Sequence, residues 1–231
     1  MNTGNVVLNI DDVSKSYLDP SGQRKTILKH VKLNILEGEI LLIMGPSGVG
    51  KTTLLNIIGL LDEPNEGNVV IKGKSTAKLN NLEKAEMRNR HLGLVFQHYY
   101  LMNNLNVLEN VILPMIRNPE LAPHQRKKRA FELLELVRMS SQANQFPDTL
   151  SGGELQRVSI ARSLANNPDI ILADEPTGSV DSDNEKAIIN ILNEIAQEGK
   201  AVVIVSHNEI FKSVANRVFM LTESTLKELT I

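Results

Sequence analysis

The 231-residue chain contains no cysteine and no tryptophan, and only 3% of it is aromatic. Without thiols, a disulfide framework, a thiolate metal site and a cysteine nucleophile are excluded together. A surplus of one charge is missing too: Lys+Arg 25 against Asp+Glu 27 gives a net charge of −2. That balance argues against a role in coating nucleic acid, and no nucleic-acid partner is expected. Long apolar runs are also lacking. The longest, such as residues 40–44 and 201–205, fall well short of the roughly 18–20 residues needed to span a bilayer. The opening MNTGNVVLNIDD shows no basic stretch followed by an apolar one, so no signal peptide is read and a cytoplasmic chain is expected. What remains is an ordinary globular composition, 42% hydrophobic and 23% charged. A chain of this size buries a core without disulfide or metal staples.

Short β-rich runs at residues 6–10 and 32–35 are separated by the turn signals Asp19-Pro20-Ser21-Gly22 and Glu37-Gly38-Glu39. Residues 40–44 form a continuous apolar run, the pattern of a strand buried on both faces. A helical pattern over 51–59 is stopped by Gly59 and Pro64. A strand at 69–71, a charged helix at 79–90 and a strand at 92–96 follow. From 99 to 167 the periodicity is helical with no convincing strand, as in 125–138, where Ala130, Leu133, Leu134 and Val137 recur on one face. Strands at 170–173 and 201–205 then flank a helix at 184–197. Strands alternating with helices of this length predict a parallel α/β sheet, with the helical middle as an insertion.

Three segments carry chemistry. Gly45-Pro46-Ser47-Gly48-Val49-Gly50-Lys51-Thr52, followed by Thr53, fits the phosphate-loop pattern G-x-x-x-x-G-K-[ST] between a buried strand and a helix. Its glycines let backbone N–H groups face a phosphate, the helix adds its positive end, Lys51 supplies a point charge and Thr52 a hydroxyl for Mg²⁺. Asp174 and Glu175 close the apolar strand 170–173. There one carboxylate can hold Mg²⁺ and the second can polarise an attacking water; an acidic helix start is the competing explanation. In Leu150-Ser151-Gly152-Gly153-Glu154-Leu155-Gln156-Arg157, Ser151 and Glu154 form a helix capping box. The two glycines add nothing to capping, but they permit close approach of an anion to a helix end.

With these residues in order, the chain resembles the ATP-binding cassette (ABC) ATPases along nearly its whole length. Residues 150–154 match the family signature Leu-Ser-Gly-Gly-Gln with Glu154 in place of Gln. The resemblance implies a P-loop NTPase (RecA-like) α/β core with a parallel sheet, an N-terminal antiparallel β subdomain and an inserted α-helical subdomain. In that division residues 1–98 and 168–231 make the core and β subdomain, and 99–167 the helical part. It further implies that Tyr17 stacks on adenine, that Gln97 senses Mg²⁺ and the γ-phosphate, and that Asp181 is the D-loop aspartate. His207 would contact the γ-phosphate and Glu175 would orient or deprotonate the hydrolytic water. ATP and Mg²⁺ are the implied ligands. The implied partners are a second ATPase subunit, most simply a second copy of the chain, and a transmembrane permease subunit docking near 97–110. The chain would then sit peripherally on the inner face of a bacterial plasma membrane.

Lys84-Ala85-Glu86-Met87-Arg88-Asn89, Leu92-Gly93-Leu94-Val95-Phe96-Gln97 and Ala173-Asp174-Glu175-Pro176-Thr177-Gly178 look like the branch holding lipoprotein-releasing, macrolide-exporting and cell-division ATPases. Two departures stand out: Gly178-Ser179-Val180-Asp181 replaces the commoner Asn-Leu-Asp form, and the C-terminal 220–226 lacks the usual Asp-Gly hairpin turn. The basic run 126–129 reads as a solvated helix face, and His30, His91, His98 and His124 show no metal-ligand spacing. Two other readings compete: a non-transport ABC ATPase acting on nucleic acid or ribosomes, and an ATP-binding regulatory module with little turnover. The first usually carries two cassettes or a long coiled coil, and heptads are absent here. Glu175 and His207 argue against the second.

Overall fold

A computed structural model describes residues 4–178 and 180–230. The N-terminal strands β1 (Val6–Leu18) and β2 (Arg24–Leu36) pair antiparallel and are much longer than the sequence runs predicted. The polar pair Asp11-Asp12, which looked like the end of a strand, is a bulge: Asp12 has φ 57° and the register shifts between Ile10 and Val13. Beyond it the alternation resumes, with Val13 and Lys15 both turned to the buried side. Strands β4 (Glu66–Ile71) and β5 (Lys74–Ser75) complete an antiparallel sheet of order β2-β1-β4-β5.

The second sheet holds β3 (Ile40–Met44), β6 (Leu92–Val95), β7 (Ile170–Asp174), β8 (Ala201–Val205), β9 (Arg217–Thr222) and β10 (Thr225–Leu229), in the order β10-β9-β3-β8-β7-β6. All its pairings are parallel except β9 with β10. Both faces of this sheet are covered, which is why its strands read as unbroken apolar runs. Ile40, Leu42 and Met44 of β3 belong to one core, shared with Ile171, Val202 and Ile204. On that side lie α3 (Val107–Ile112), α4 (Pro123–Leu136), α5 (Gly152–Ser163) and α6 (Ser182–Gln197). Leu41 and Ile43 face the other core, with Leu172, Val203 and Val205. That side is closed by the antiparallel sheet, α1 (Lys51–Ile58) and Met87 of α2 (Asn81–His91).

The helix predicted at 79–90 starts two residues later, because Asn80 caps it through the N–H groups of Leu82 and Glu83. The C-terminal hairpin forms without Asp-Gly. Its two turn residues, Glu223 and Ser224, take φ of 46° and 65°, the left-handed values that a tight two-residue hairpin demands. Tertiary contacts hold them there: the Ser224 hydroxyl donates to Thr26 O at 3.0 Å, and Lys29 N–H donates to Ser224 O at 2.8 Å.

Candidate active site

Parallel register places the chemistry in one row. Met44, Val95, Asp174 and Val205 end four strands that are neighbours in the order β3-β8-β7-β6. The phosphate loop, Gln97, Asp174-Glu175 and Ser206-His207 therefore all emerge at the carboxyl edge of one sheet, where open α/β folds bind ligands.

In the phosphate loop, Gly48 and Gly50 have φ of 75° and 114°. A Cβ on Gly50 would lie 2.6 Å from Ile27 Cγ2. Gly50 is the N-cap of α1 and brings no capping side chain, and the first turn of α1 has no acidic residue. The helix thus begins with N–H donors that no side chain occupies, an arrangement suited to an anion. Lys51 is buried and its Nζ donates to Gly45 O at 2.8 Å and Pro46 O at 3.1 Å, which holds the charge inside the loop. The Thr52 hydroxyl hydrogen-bonds with Asp174. Burial pushes the Asp174 carboxyl above its ordinary range and the adjacent Glu175 adds to this, while the Thr52 bond and the Lys51 charge offset part of it.

Glu175 adopts φ 44°, a left-handed backbone at a non-glycine residue. Its N–H donates to Val205 O at 2.8 Å, and its carbonyl accepts from Gly178 N–H at 3.0 Å. The carboxylate is held from both sides. Oε2 accepts from the Ser206 hydroxyl at 2.8 Å; Oε1 accepts the His207 N–H at 3.1 Å and lies 2.9 Å from His207 Nδ1. The Glu175 side chain is 14% exposed and that of His207 69%, so a rigid carboxylate sits beneath an accessible imidazole. Gln97 is exposed, and its amide approaches closely enough that a Cβ on Gly178 would lie 3.3 Å from Nε2. Tyr17 lies at the end of β1, partly exposed, and its hydroxyl donates to Asp62 Oδ2 at 2.5 Å and contacts Thr53.

Ser151 caps α5, with its hydroxyl 2.8 Å from Glu154 Oε2 and its own N–H donated to the same oxygen at 2.8 Å. These bonds from Ser151 hold the Glu154 carboxyl below its ordinary range. The second glycine has a packing reason that the sequence hid. A Cβ on Gly153 would lie 2.1 Å from Asn184 Cγ. Asp181 caps α6 through Asp183 and Asn184 N–H, and its Oδ2 accepts from Asn184 Nδ2 at 2.8 Å. Arg157 donates to Asn184 Oδ1, so Asn184 ties the D-loop to the signature helix. Ser179 lies outside the described residues. Among the described residues, no hydrogen bond joins Gly45–Thr52 to Ser151–Glu154.

Ser206 and Asn184 were not singled out by the motifs. Ser206 is a fully buried hydroxyl immediately before His207, but a serine at a strand end carries no signal in the sequence. Asn184 carries no signal of its contacts with Arg157 and Gly153, which join segments far apart in sequence.

A protein-family model described as ABC transporter matches residues 28–178, well over half of the chain. The chain belongs to the ABC transporter family. It is an ATP-binding, ATP-hydrolysing cassette. The cassette is 44% identical over 209 residues to the uncharacterized ABC transporter ATP-binding protein MJ1508 of Methanocaldococcus jannaschii, covering 90% of this chain and 93% of that one. It is 40% identical over 221 residues to the macrolide export ATP-binding/permease protein MacB of Bartonella henselae, covering 95% of this chain but 33% of that protein. In structure it superimposes on dimeric MJ0796, a bacterial ABC transporter cassette by description, with TM-score 0.88 and 42% identity over 97% of this chain and 99% of that one. A post-hydrolysis dimer of MJ0796 bound to ADP and Pi matches with TM-score 0.88 at 41% identity and the same coverage.

Proposed function

We propose that two copies of this cassette close on two ATP molecules, each held by Gly45–Thr52 of one copy and Ser151–Gly153 of the other, and that hydrolysis reopens them to drive a transmembrane permease. The single observation that carries this reading is the division of the phosphate-binding groups. Among the described residues, the strand-edge row of P-loop, Asp174, Glu175 and His207 makes no hydrogen bond to the Ser151 helix end, which leaves that end to a partner's nucleotide. Such a pair has two-fold symmetry, and the dimeric MJ0796 cassettes support it.

In each site the backbone N–H groups of 45–52 and Lys51 bind the phosphates, and Tyr17 offers its ring to adenine. Glu175, fixed by Ser206 and His207, accepts a proton from the water that attacks the γ-phosphorus; His207 is exposed and placed to donate to a γ-phosphate oxygen. Mg²⁺ fits the donors present. No group of three or more His, Asp or Glu able to cage a metal occurs among the described residues, and Mg²⁺ in nucleotide sites is held by one or two protein oxygens plus phosphates. Thr52, Asp174 and Gln97 would hold it, and when bound it neutralises charge developing on the phosphates. Asp181 would reach across the dimer, and residues 99–167 would move as the unit that carries Ser151.

The permease docks in the groove lined by Leu94, Phe96, Tyr100, Pro114 and Arg162, next to Gln97, with Tyr100, Met102 and Ile116 exposed around it. A MacB-type permease partner is in keeping with the macrolide export relatives, and such a partner would hold the cassette at the inner face of the membrane. Among the described residues no helix is long and apolar enough to cross it. The test combines gel filtration with phosphate release. With ATP and Mg²⁺, Glu175→Gln elutes as a stable dimer with no turnover, and adding Ser151→Ala returns it to monomers that still bind ATP. A Glu175→Gln chain that hydrolyses at the wild-type rate, or a dimer indifferent to Ser151, overturns the reading.

A further inference from the structure

The two halves of the nucleotide site are joined by a charged side chain that the chemistry does not use. Lys15 follows the β1 bulge at an inward-facing position, and its side chain is only 9% exposed. A buried ammonium is costly unless it is paired, and this one is fully engaged. Its Nζ lies 2.6 Å from Asp62 Oδ1 and donates to Glu63 O, also at 2.6 Å. The same Nζ sits over the ring of Tyr17, 4.8 Å from the centroid. Tyr17 in turn donates its hydroxyl to the second oxygen of the same carboxylate, Asp62 Oδ2, at 2.5 Å. Asp62 lies just beyond the C-terminal end of α1, the helix that begins in the phosphate loop. Lys15 and Tyr17 are two residues apart on one strand, so the pleat turns both to the same side.

We infer that Lys15 and Asp62 are positioning residues for the base of the nucleotide: together they fix the plane and height of the Tyr17 ring relative to the phosphate loop. This rests on the reading of Tyr17 as the adenine platform. A tyrosine near the end of a strand, 44% exposed, would otherwise rotate freely about its side-chain bonds and lose that freedom on stacking. Here the hydroxyl is pinned by Asp62 and one face is taken by the Lys15 ammonium, which leaves the opposite face for a base. The ring is therefore ordered before the nucleotide arrives. Burial works against ionisation of Asp62, but hydrogen bonds from Lys15, Tyr17 and the Glu63 N–H outweigh it and hold the carboxyl below its ordinary range. Asp62 thus stays ionised throughout the neutral range.

The role is confined to the base, and this separates it from a merely structural one. Binding of MgATP and of magnesium tripolyphosphate, which has the phosphates but no base, is measured by calorimetry on the full chain for wild type, Lys15→Met, Lys15→Arg, Asp62→Asn and Tyr17→Ala. Lys15→Met and Asp62→Asn are expected to weaken ATP by about fivefold to tenfold, the scale of a lost cation–π contact and an unpinned ring. Tripolyphosphate affinity should stay within about twofold of wild type, because that ligand has no base to stack on the Tyr17 ring. Lys15→Arg, which keeps a cation over the ring, should recover most of the ATP affinity. If Lys15→Met and Asp62→Asn weaken both ligands equally, or neither, the clamp is structural and the inference fails. If Tyr17→Ala itself leaves the ratio of the two affinities unchanged, the adenine-platform reading fails and this inference with it. If Tyr17→Ala alters the ratio and the clamp variants do not, only the inference falls.

Discussion

In the proposed mechanism turnover depends on Glu175, and its environment explains why neighbouring substitutions should differ in kind. Glu175→Gln keeps one acceptor oxygen, enough for the Ser206 hydroxyl, but cannot take a proton, so ATP turnover should drop about 10²–10⁴-fold in phosphate-release assays. Ser206→Ala removes one of the bonds that orient the carboxylate. It should lower kcat by roughly threefold to tenfold and leave KM for ATP unchanged, because the hydroxyl orients Glu175 and otherwise only accepts the Asn208 N–H at 3.0 Å, away from the phosphate loop. Asp174 behaves in the opposite sense for stability. Its carboxyl is raised in the folded protein, so the fold holds this proton more tightly than the unfolded chain does. The stabilisation is complete below the ordinary carboxylate value and is lost as pH rises through the raised one. Around neutral pH the buried charge is a cost. Asp174→Asn should therefore raise the melting temperature of the nucleotide-free chain near neutral pH, with the gain shrinking toward acid, while Mg²⁺-dependent turnover falls. Calorimetry across the acid-to-neutral range checks the sign. Lys51, Thr52 and the Asp174-Glu175 pair could be singled out from local patterns, and His207 from the family resemblance; Ser206 could not, since a serine at a strand end carries no signal until the strand beside it brings Glu175 within 2.8 Å.

Among the elements, the apolar strands were read closely: β8 runs over the residues expected, and β3 likewise. β1 was read short because an alternation test stops at Asp11-Asp12, whereas the bulge there adds a residue and the strand continues. The C-terminal hairpin was equally opaque, since Glu-Ser has poor turn propensity and owes its left-handed backbone to contacts with β2. Relief of that strain should be visible: Glu223→Gly is expected to stabilise the chain by about 0.5–1 kcal/mol in urea unfolding. Ser224→Gly should gain less, because it also loses the hydroxyl bond to Thr26 O. Where α5 meets α6, the prediction runs the other way. Gly153→Ala forces a methyl group against Asn184 and should cost about 1–3 kcal/mol, with Asn184→Ala restoring much of it. An unchanged melting temperature for Gly153→Ala would show that the two helices separate without penalty.

At the scale of the whole molecule, one sheet organises everything: alternate residues of β3, β7 and β8 feed two cores, and the carboxyl ends of the same strands carry the reacting groups. Assembly is where the cassette should reveal its partner. A tagged full-length chain recovered from membranes with ATP present should bring down a permease, and recovery of ribosomes or DNA with no membrane protein would reverse the assignment. By itself the sequence determined the class of chemistry. A P-loop, a paired carboxylate and a second glycine-bearing helix start are set by residue type and local spacing, and no packing detail can change what phosphate requires of them. Only the tertiary structure decided which groups work together. Glu175 with Ser206 and His207, Gly153 against Asn184, and Lys15 with Tyr17 and Asp62 are contacts between segments brought together by strand register, a bulge and two packed cores. No pattern within a single segment encodes such a contact, because its geometry exists only after the sheets have closed.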